Sequence, residues 1–193
     1  MPSSPTILAF DTSAAHVAAA LLLEGRIIAR VEDMARGQAE RLIPLLEDVL
    51  AEGGIAWPNL DALGVGVGPG NFTGIRISVA AARGLALGLG IPAVGVSLFD
   101  TTQQLSAWAQ TAVPGPRELF YFSDPDKQIT IRMGPWTGGA FARSDEHNAE
   151  AHVATMARLA AVQYKRVQDP PKPLYVKPAD AAPPRDAPPV LID

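Results

Sequence analysis

The sequence predicts an α/β fold of mixed strands and helices, and three observations carry that expectation. Residues 6–12, Thr-Ile-Leu-Ala-Phe-Asp-Thr, are a short apolar run that ends in polar groups, as a buried strand does. Residues 17–23 and 26–31 form two further runs, joined by Glu24-Gly25, a pair suited to a two-residue hairpin turn. After them the apolar period lengthens toward 3.6 residues, and helix and strand patterns then alternate as far as Val96.

The first helix is expected at 37–52. Leu42, Leu45, Leu46, Val49 and Leu50 stand at i, i+3, i+4, i+7 and i+8, with Arg41, Glu47 and Asp48 off that stripe. Pro44 lies inside the span and removes one backbone donor, which predicts a kink or a late start. Gly53-Gly54 ends the helix, and residues 60–67 make the next strand. A second helix is expected at 75–89. In it Ala80, Gly84 and Gly88 recur every fourth residue as a ridge almost without side chains. A glycine inside a helix costs about 1 kcal/mol relative to alanine, so two of them need a packing reason. Either the ridge approaches the protein's own sheet, or one face meets the sheet and another a partner's helix. Residues 91–96 return as a strand.

Beyond residue 98 the pattern weakens. Residues 100–112 read as a short helix, 119–122 and 128–132 as strands around a Ser123-Asp124-Pro125-Asp126 turn, and 146–164 as a helix. That helix would turn Val153, Met156, Ala157, Ala160 and Ala161 toward a core. Eight of the last 25 residues are proline, so the tail from Asp169 is expected to be extended. Leu174, Tyr175 and Val176 are its apolar cluster and would anchor it against the body or a partner.

Composition narrows the function classes. Sixteen Lys and Arg against 20 Asp and Glu, with no basic block, argue against autonomous binding of RNA or DNA. The absence of cysteine excludes a disulfide framework and thiolate chemistry and suits a cytoplasmic protein. The start, Met1-Pro2-Ser3-Ser4-Pro5, lacks the pattern of a signal peptide, and the apolar stretches look too short and broken for a membrane span.

Residues 61–76, Asp-Ala-Leu-Gly-Val-Gly-Val-Gly-Pro-Gly-Asn-Phe-Thr-Gly-Ile-Arg, are the most informative stretch. Glycines so dense let the backbone come close to a phosphate or another helix. No Gly-Lys-Ser/Thr follows, so this is not a P-loop, and Pro69 interrupts any dinucleotide fingerprint. On physical grounds it is a tight strand-to-helix connector, with or without contact to a ligand or partner. Catalytic candidates are few. His147 and His152 are five residues apart, off one helix face, and read as solvated; His16 reads as a surface histidine in a turn. No Gly-x-Ser-x-Gly elbow supports a hydrolase. Asp11, at a strand end beside Thr12 and Ser13, either accepts hydrogen bonds from the turn that follows or binds Mg²⁺ through water.

Gly66-Val-Gly-Pro-Gly-Asn-Phe-Thr-Gly-Ile-Arg76 resembles the signature of the bacterial TsaB (YeaZ) type of tRNA threonylcarbamoyladenosine biosynthesis protein. Residues 7–13, 82–88, 91–97 and 173–177 fit that family too, so the resemblance covers roughly residues 6–98 well and the rest thinly. It implies an actin/hexokinase-like (ASKHA) fold with a mixed sheet flanked by helices and a reduced second lobe. The implied division is an N-terminal lobe at 1–98, a second lobe at 99–168 and a proline-rich tail at 169–193. It further implies a non-catalytic scaffold and activator of a TsaD-type transferase, working with a TsaE-type ATPase on the adenosine 3′ of the anticodon. Such a chain needs no cofactor or metal of its own; ATP or ADP and metal belong to the partner complex, and tRNA is met only through it. No membrane is involved, and a homodimer is possible when the partner is absent. The TsaD-type paralogue carries two metal-binding histidines on its first long helix, where this chain has Ala35-Arg36-Gly37-Gln38-Ala39-Glu40-Arg41-Leu42. Asp11, Thr12, Ser13, Gly68, Gly70 and Asn71 are then a vestigial nucleotide site. Leu42, Leu45, Leu46, Val49, Ala80, Gly84 and Gly88 are the expected partner interface. A rival from another class is a small ATP-binding enzyme or degenerate kinase, resting on Asp11-Thr12-Ser13 and the glycine loop.

Overall fold

The computed structural model describes residues 4–133 and 141–176. Three strands open it: β1 (Ile7–Asp11), β2 (His16–Leu23) and β3 (Arg26–Asp33). Glu24 and Gly25 both take positive φ, the geometry of the two-residue hairpin turn expected there. Helix α1 (Gln38–Glu52), β4 (Ala62–Gly66), α2 (Phe72–Leu89) and β5 (Ala93–Val96) follow. The sheet order is β3-β2-β1-β4-β5, with β1 antiparallel to β2 and parallel to β4. It is a mixed sheet, as expected.

Strand β1 is apolar at every position before Asp11 because both its faces are covered. Leu8 and Phe10 belong to the core under α1 and α2. Ile7 and Ala9 belong to a second core on the opposite face. The cover on that side is α4 (Ala149–Gln163), through Val153, Met156, Ala157 and Ala160. Gly64 of β4 lets α4 come close: a Cβ there would lie 3.1 Å from the Ala9 Cβ and 3.2 Å from the Ala160 Cβ.

The helix expected at 37–52 starts at Gln38 and runs through Pro44, so proline does not delay it. Its stripe is used up inside the chain. Leu42, Leu45, Leu46 and Val49 are buried against the first sheet, each burial stabilising by about 1.5–3 kcal/mol. These four side chains therefore cannot form a partner interface, and that expectation is corrected. One apolar stripe covers one surface, and the sheet takes it. Helix α2 begins at Phe72, three residues earlier than expected, because the Asn71 side chain caps it by accepting from the Gly74 amide at 2.9 Å.

Further on, α3 (Leu98–Ser106) leads to a second sheet of β6 (Thr111–Pro114), β7 (Leu119–Ser123), β8 (Ile129–Met133) and β9 (Ala142–Arg143). Its order is β8-β7-β6-β9. The helix expected at 100–112 is thus a helix and then a strand. Residues 99–168 are not one separate lobe either, since α4 returns to cover the first sheet. Of the tail, Leu174 packs against both the first core and the small core of Phe99, Val113 and Tyr121, and its amide donates to the Val67 carbonyl at 2.8 Å. The anchoring cluster thus meets the body. Residues 177–193 of the expected extended tail lie outside the described residues.

One composition-based expectation also changes. At 18 residues, α2 is long and apolar enough to cross a membrane by length and composition, although Arg76 and Arg83 interrupt it. Here its Ile75, Ser78, Val79 and Ala82 are buried on the sheet side.

Candidate functional site

The glycine segment and the end of β1 interlock. Thr12 Oγ1 donates to the Gly74 carbonyl at 2.6 Å, and the Asn71 amide donates to the Ser13 carbonyl at 2.6 Å. A Cβ added at Gly66 would land on the Asp11 carboxylate, at Gly70 on the Ser13 carbonyl oxygen, and at Gly74 on the Thr12 carbonyl oxygen. The glycines are needed because residues 11–13 fill the space above them. Gly68 adopts φ +97°, which favours glycine in its own right, and a Cβ there would lie 2.6 Å from Ile75 Cδ1. The Gly68–Pro69 bond is cis. The side-chain oxygen of Asn71 is already engaged as the cap of α2, and the Ser13 hydroxyl donates to Asp11 Oδ2 at 2.8 Å. The structure thus brings the six residues expected at a vestigial nucleotide site to the junction of β1 and the glycine segment, where Ser13 bonds to Asp11 and to the Asn71 amide, and the Thr12 and Asn71 side chains bond to Gly74.

Asp11 is the exception. It is 5% exposed; its Oδ2 lies 3.2 Å from His16 Nε2, and its Oδ1 is buried without a hydrogen-bond partner among the described residues. The carboxylate lines a cavity of about 210 Å³ together with His16, His147 and His152. The reading of these histidines as solvated is therefore corrected for His16 and His152. His16 opens β2 beside Asp11 with only 16% of its side chain exposed. His152 is buried, with Nε2 2.9 Å from the Ser144 carbonyl and Nδ1 2.8 Å from Thr101 Oγ1. A carbonyl only accepts, so Nε2 carries the proton, and Thr101 donates to Nδ1 of the neutral ring. Folding alone gathers these residues from β1, β2, α3 and α4, and no sequence spacing announces it. Among the described residues no group of three acids or histidines is placed to hold a metal ion.

Burial holds the His152 imidazole below its ordinary range; the Ser144 carbonyl opposes this, and neighbouring His147 adds to it. The native state then binds fewer protons here than the unfolded chain does. The stability tied to His152 is complete above the unfolded value of about 6.5 and is lost as pH falls toward the lower folded value. Chemical denaturation from pH 7.5 to 5 should show wild-type stability dropping. In His152→Gln the slope should be shallower, whatever its plateau; equal slopes would contradict the assignment.

A cavity of about 880 Å³ lies between the second sheet and the loops that follow β1 and β4. Phe72, Val113, Tyr121 and Tyr175 give it apolar walls, and Ser13, Gln38 and Asn71 give it neutral polar groups. No charged side chain lines it among the described residues.

The surface of α2 is the other unusual feature. Ala80, Gly84 and Gly88 lie in a row on its outer side, beside Leu87, which is 86% exposed. A Cβ built at Gly84 or Gly88 would meet nothing within 4 Å among the described residues. The alternative left open by the sequence is decided: the ridge faces away from the protein's own sheet. Next to it, Gly84, Leu87, Ile91, Pro92 and Pro171 border a groove of about 510 Å³.

Fold and surface together define a mixed α/β protein with a self-filled glycine loop and an open helix face. The family model of TsaD, tRNA N6-adenosine threonylcarbamoyltransferase, matches residues 31–123. The TsaB tRNA threonylcarbamoyladenosine biosynthesis protein of Escherichia coli is 40% identical over 102 residues, 53% of this chain and 44% of that protein. An uncharacterized Mycobacterium tuberculosis protein, Rv3421c, is 30% identical over 199 residues, 92% of this chain and 94% of its own. The solved YeaZ from Pseudomonas aeruginosa shares the fold with a TM-score of 0.68 at 23% identity, over 89% of this chain and all of that one. The chain belongs to the TsaB (YeaZ) family. Its match spans less than half the length of the E. coli TsaB.

Proposed function

We propose that this chain is a non-catalytic scaffold and activator of a TsaD-type transferase in the formation of N6-threonylcarbamoyladenosine on tRNA, 3′ of the anticodon. The exposed ridge of α2 carries the reading. Gly84 and Gly88 each weaken the helix by about 1 kcal/mol relative to alanine, and no neighbour among the described residues requires either glycine. A helix backbone of a partner can approach such a ridge closely, while Leu87 and the adjoining groove supply apolar contact. The interface in this reading is Ala80, Gly84, Gly88 and Leu87, without the buried leucines of α1. When the transferase is absent, a second copy of the chain covers the ridge.

The same reading places catalysis, nucleotide and metal in the TsaD-type transferase and the TsaE-type ATPase, and has tRNA reach this chain only through them. The actin-like ancestry of the fold accounts for Asp11, Thr12 and Ser13 standing at a strand end opposite a glycine loop. In a reconstituted reaction with both partners, ATP, threonine-derived adenylate and tRNA, adding the chain should raise formation of the modified adenosine several-fold. Transfer by the chain alone, or no change on adding it, would overturn the proposal.

A further inference from the structure

We propose, resting on the scaffold function above, that the partner helix seated on the outer face of α2 carries carboxylates at the edge of its apolar stripe. Residues 62–99 contain no aspartate or glutamate, and Arg76 and Arg83 are their only charged residues. Two grooves of about 510 Å³ each share residues 167–171 as a wall. One also borders Arg83, Gly84 and Leu87, and the other borders Arg166 and Lys172. Three exposed cations thus stand around the apolar surface beside the ridge. Elsewhere Arg26, Arg30, Arg41, Lys127 and Arg143 are each paired with an acid. Arg83, Arg166 and Lys172 form no ion pair among the described residues, although Asp169 lines both grooves.

A protein interface has an apolar centre and a polar rim, and rim charges set the association rate and the choice of partner more than the affinity. Here Gly84, Leu87, Ile91 and Pro171 make the centre, and the rim is cationic. A partner with carboxylates at that rim is attracted on approach, whereas a basic one meets like charge. Leu87, 86% exposed, decides against a nucleic acid as the occupant. Phosphates would meet the cations but would leave the apolar centre without cover. Charge also decides against a second copy. A two-fold dimer brings the same patch to both sides of its interface, and so sets these cations against their own counterparts. A second copy therefore covers the ridge only weakly.

Stopped-flow association of the full chain with the cognate TsaD-type transferase tests this. The wild-type rate should fall roughly tenfold between about 0.05 and about 0.5 M NaCl, as salt shortens the reach of the rim charges. A chain carrying Arg83→Glu, Arg166→Glu and Lys172→Glu should associate about a hundredfold more slowly at low salt, and should gain speed as salt rises. All three side chains are exposed, so its melting temperature should stay within a few degrees of wild type. Arg26 opens β3, at the opposite edge of the first sheet from β5, where Pro171 packs. Arg26→Glu should therefore keep the wild-type rate within about twofold. A rate indifferent to salt and to the three reversals would overturn the inference and leave the scaffold function standing. Failure of the wild type to bind the transferase at any salt would overturn both. With transferase association unchanged by the reversals, weakened tRNA binding by the assembled complex would make this a nucleic-acid surface, and lost self-association of the isolated chain would make it a dimer surface. Either result would overturn the inference.

Discussion

Gly74→Ala is expected to destabilise the protein by about 3 kcal/mol, at the upper end of the range for overpacking, and to lower its melting temperature by roughly 6–12 °C. The new methyl group would land on the Thr12 carbonyl oxygen, and neither side can yield cheaply. Thr12 directly follows β1, whose last residue, Asp11, is paired with Ala18 of β2. Gly74 sits in the first turn of α2, held by the Asn71 cap and by Thr12 Oγ1. Moving either element would break the buried Thr12–Gly74 hydrogen bond. Alanine's better helix propensity, worth about 1 kcal/mol, does not offset this. Thermal unfolding followed by circular dichroism measures the effect. An unchanged or higher melting temperature would show that the glycine loop does not depend on contact with residues 11–13.

What the sequence disclosed follows from the range over which each signal acts. The hairpin at Glu24-Gly25, the stripe of α1 and the bare ridge of α2 are local patterns, and the structure contains all three. Which surface each pattern faces is a tertiary matter. The stripe of Leu42, Leu45, Leu46 and Val49 says only that something covers it, and the cover is the protein's own sheet. The ridge left the protein's own sheet and a partner's helix open, and the empty space around Gly84 and Gly88 excludes the sheet.

The same limit explains the histidines and the return of α4. His152 is indistinguishable in sequence from a solvated helix residue; Thr101 and Ser144, which satisfy its two ring nitrogens, come from other elements. A division at residue 98 looks natural where the strand–helix alternation ends. Yet the apolar run of β1 already called for cover on both faces, and α4 supplies the second.

If the outer face of α2 meets a partner's helix, Gly84→Leu should separate folding from binding. On the isolated chain the side chain enters open space. Leucine is a better helix former by up to about 1 kcal/mol, so the monomer should remain folded and melt at the same temperature or slightly higher. In the complex the same side chain would stand where a partner's helix backbone must pass, costing about 1–3 kcal/mol in off-rotamer packing or backbone shift. Affinity for the TsaD-type transferase should therefore fall roughly 5–150-fold. Calorimetric titration of wild type and variant with the cognate transferase, beside thermal melts of both, reads the two effects separately. A folded Gly84→Leu chain should bind markedly more weakly; a folded variant with wild-type affinity would mean that no partner helix lies against Gly84.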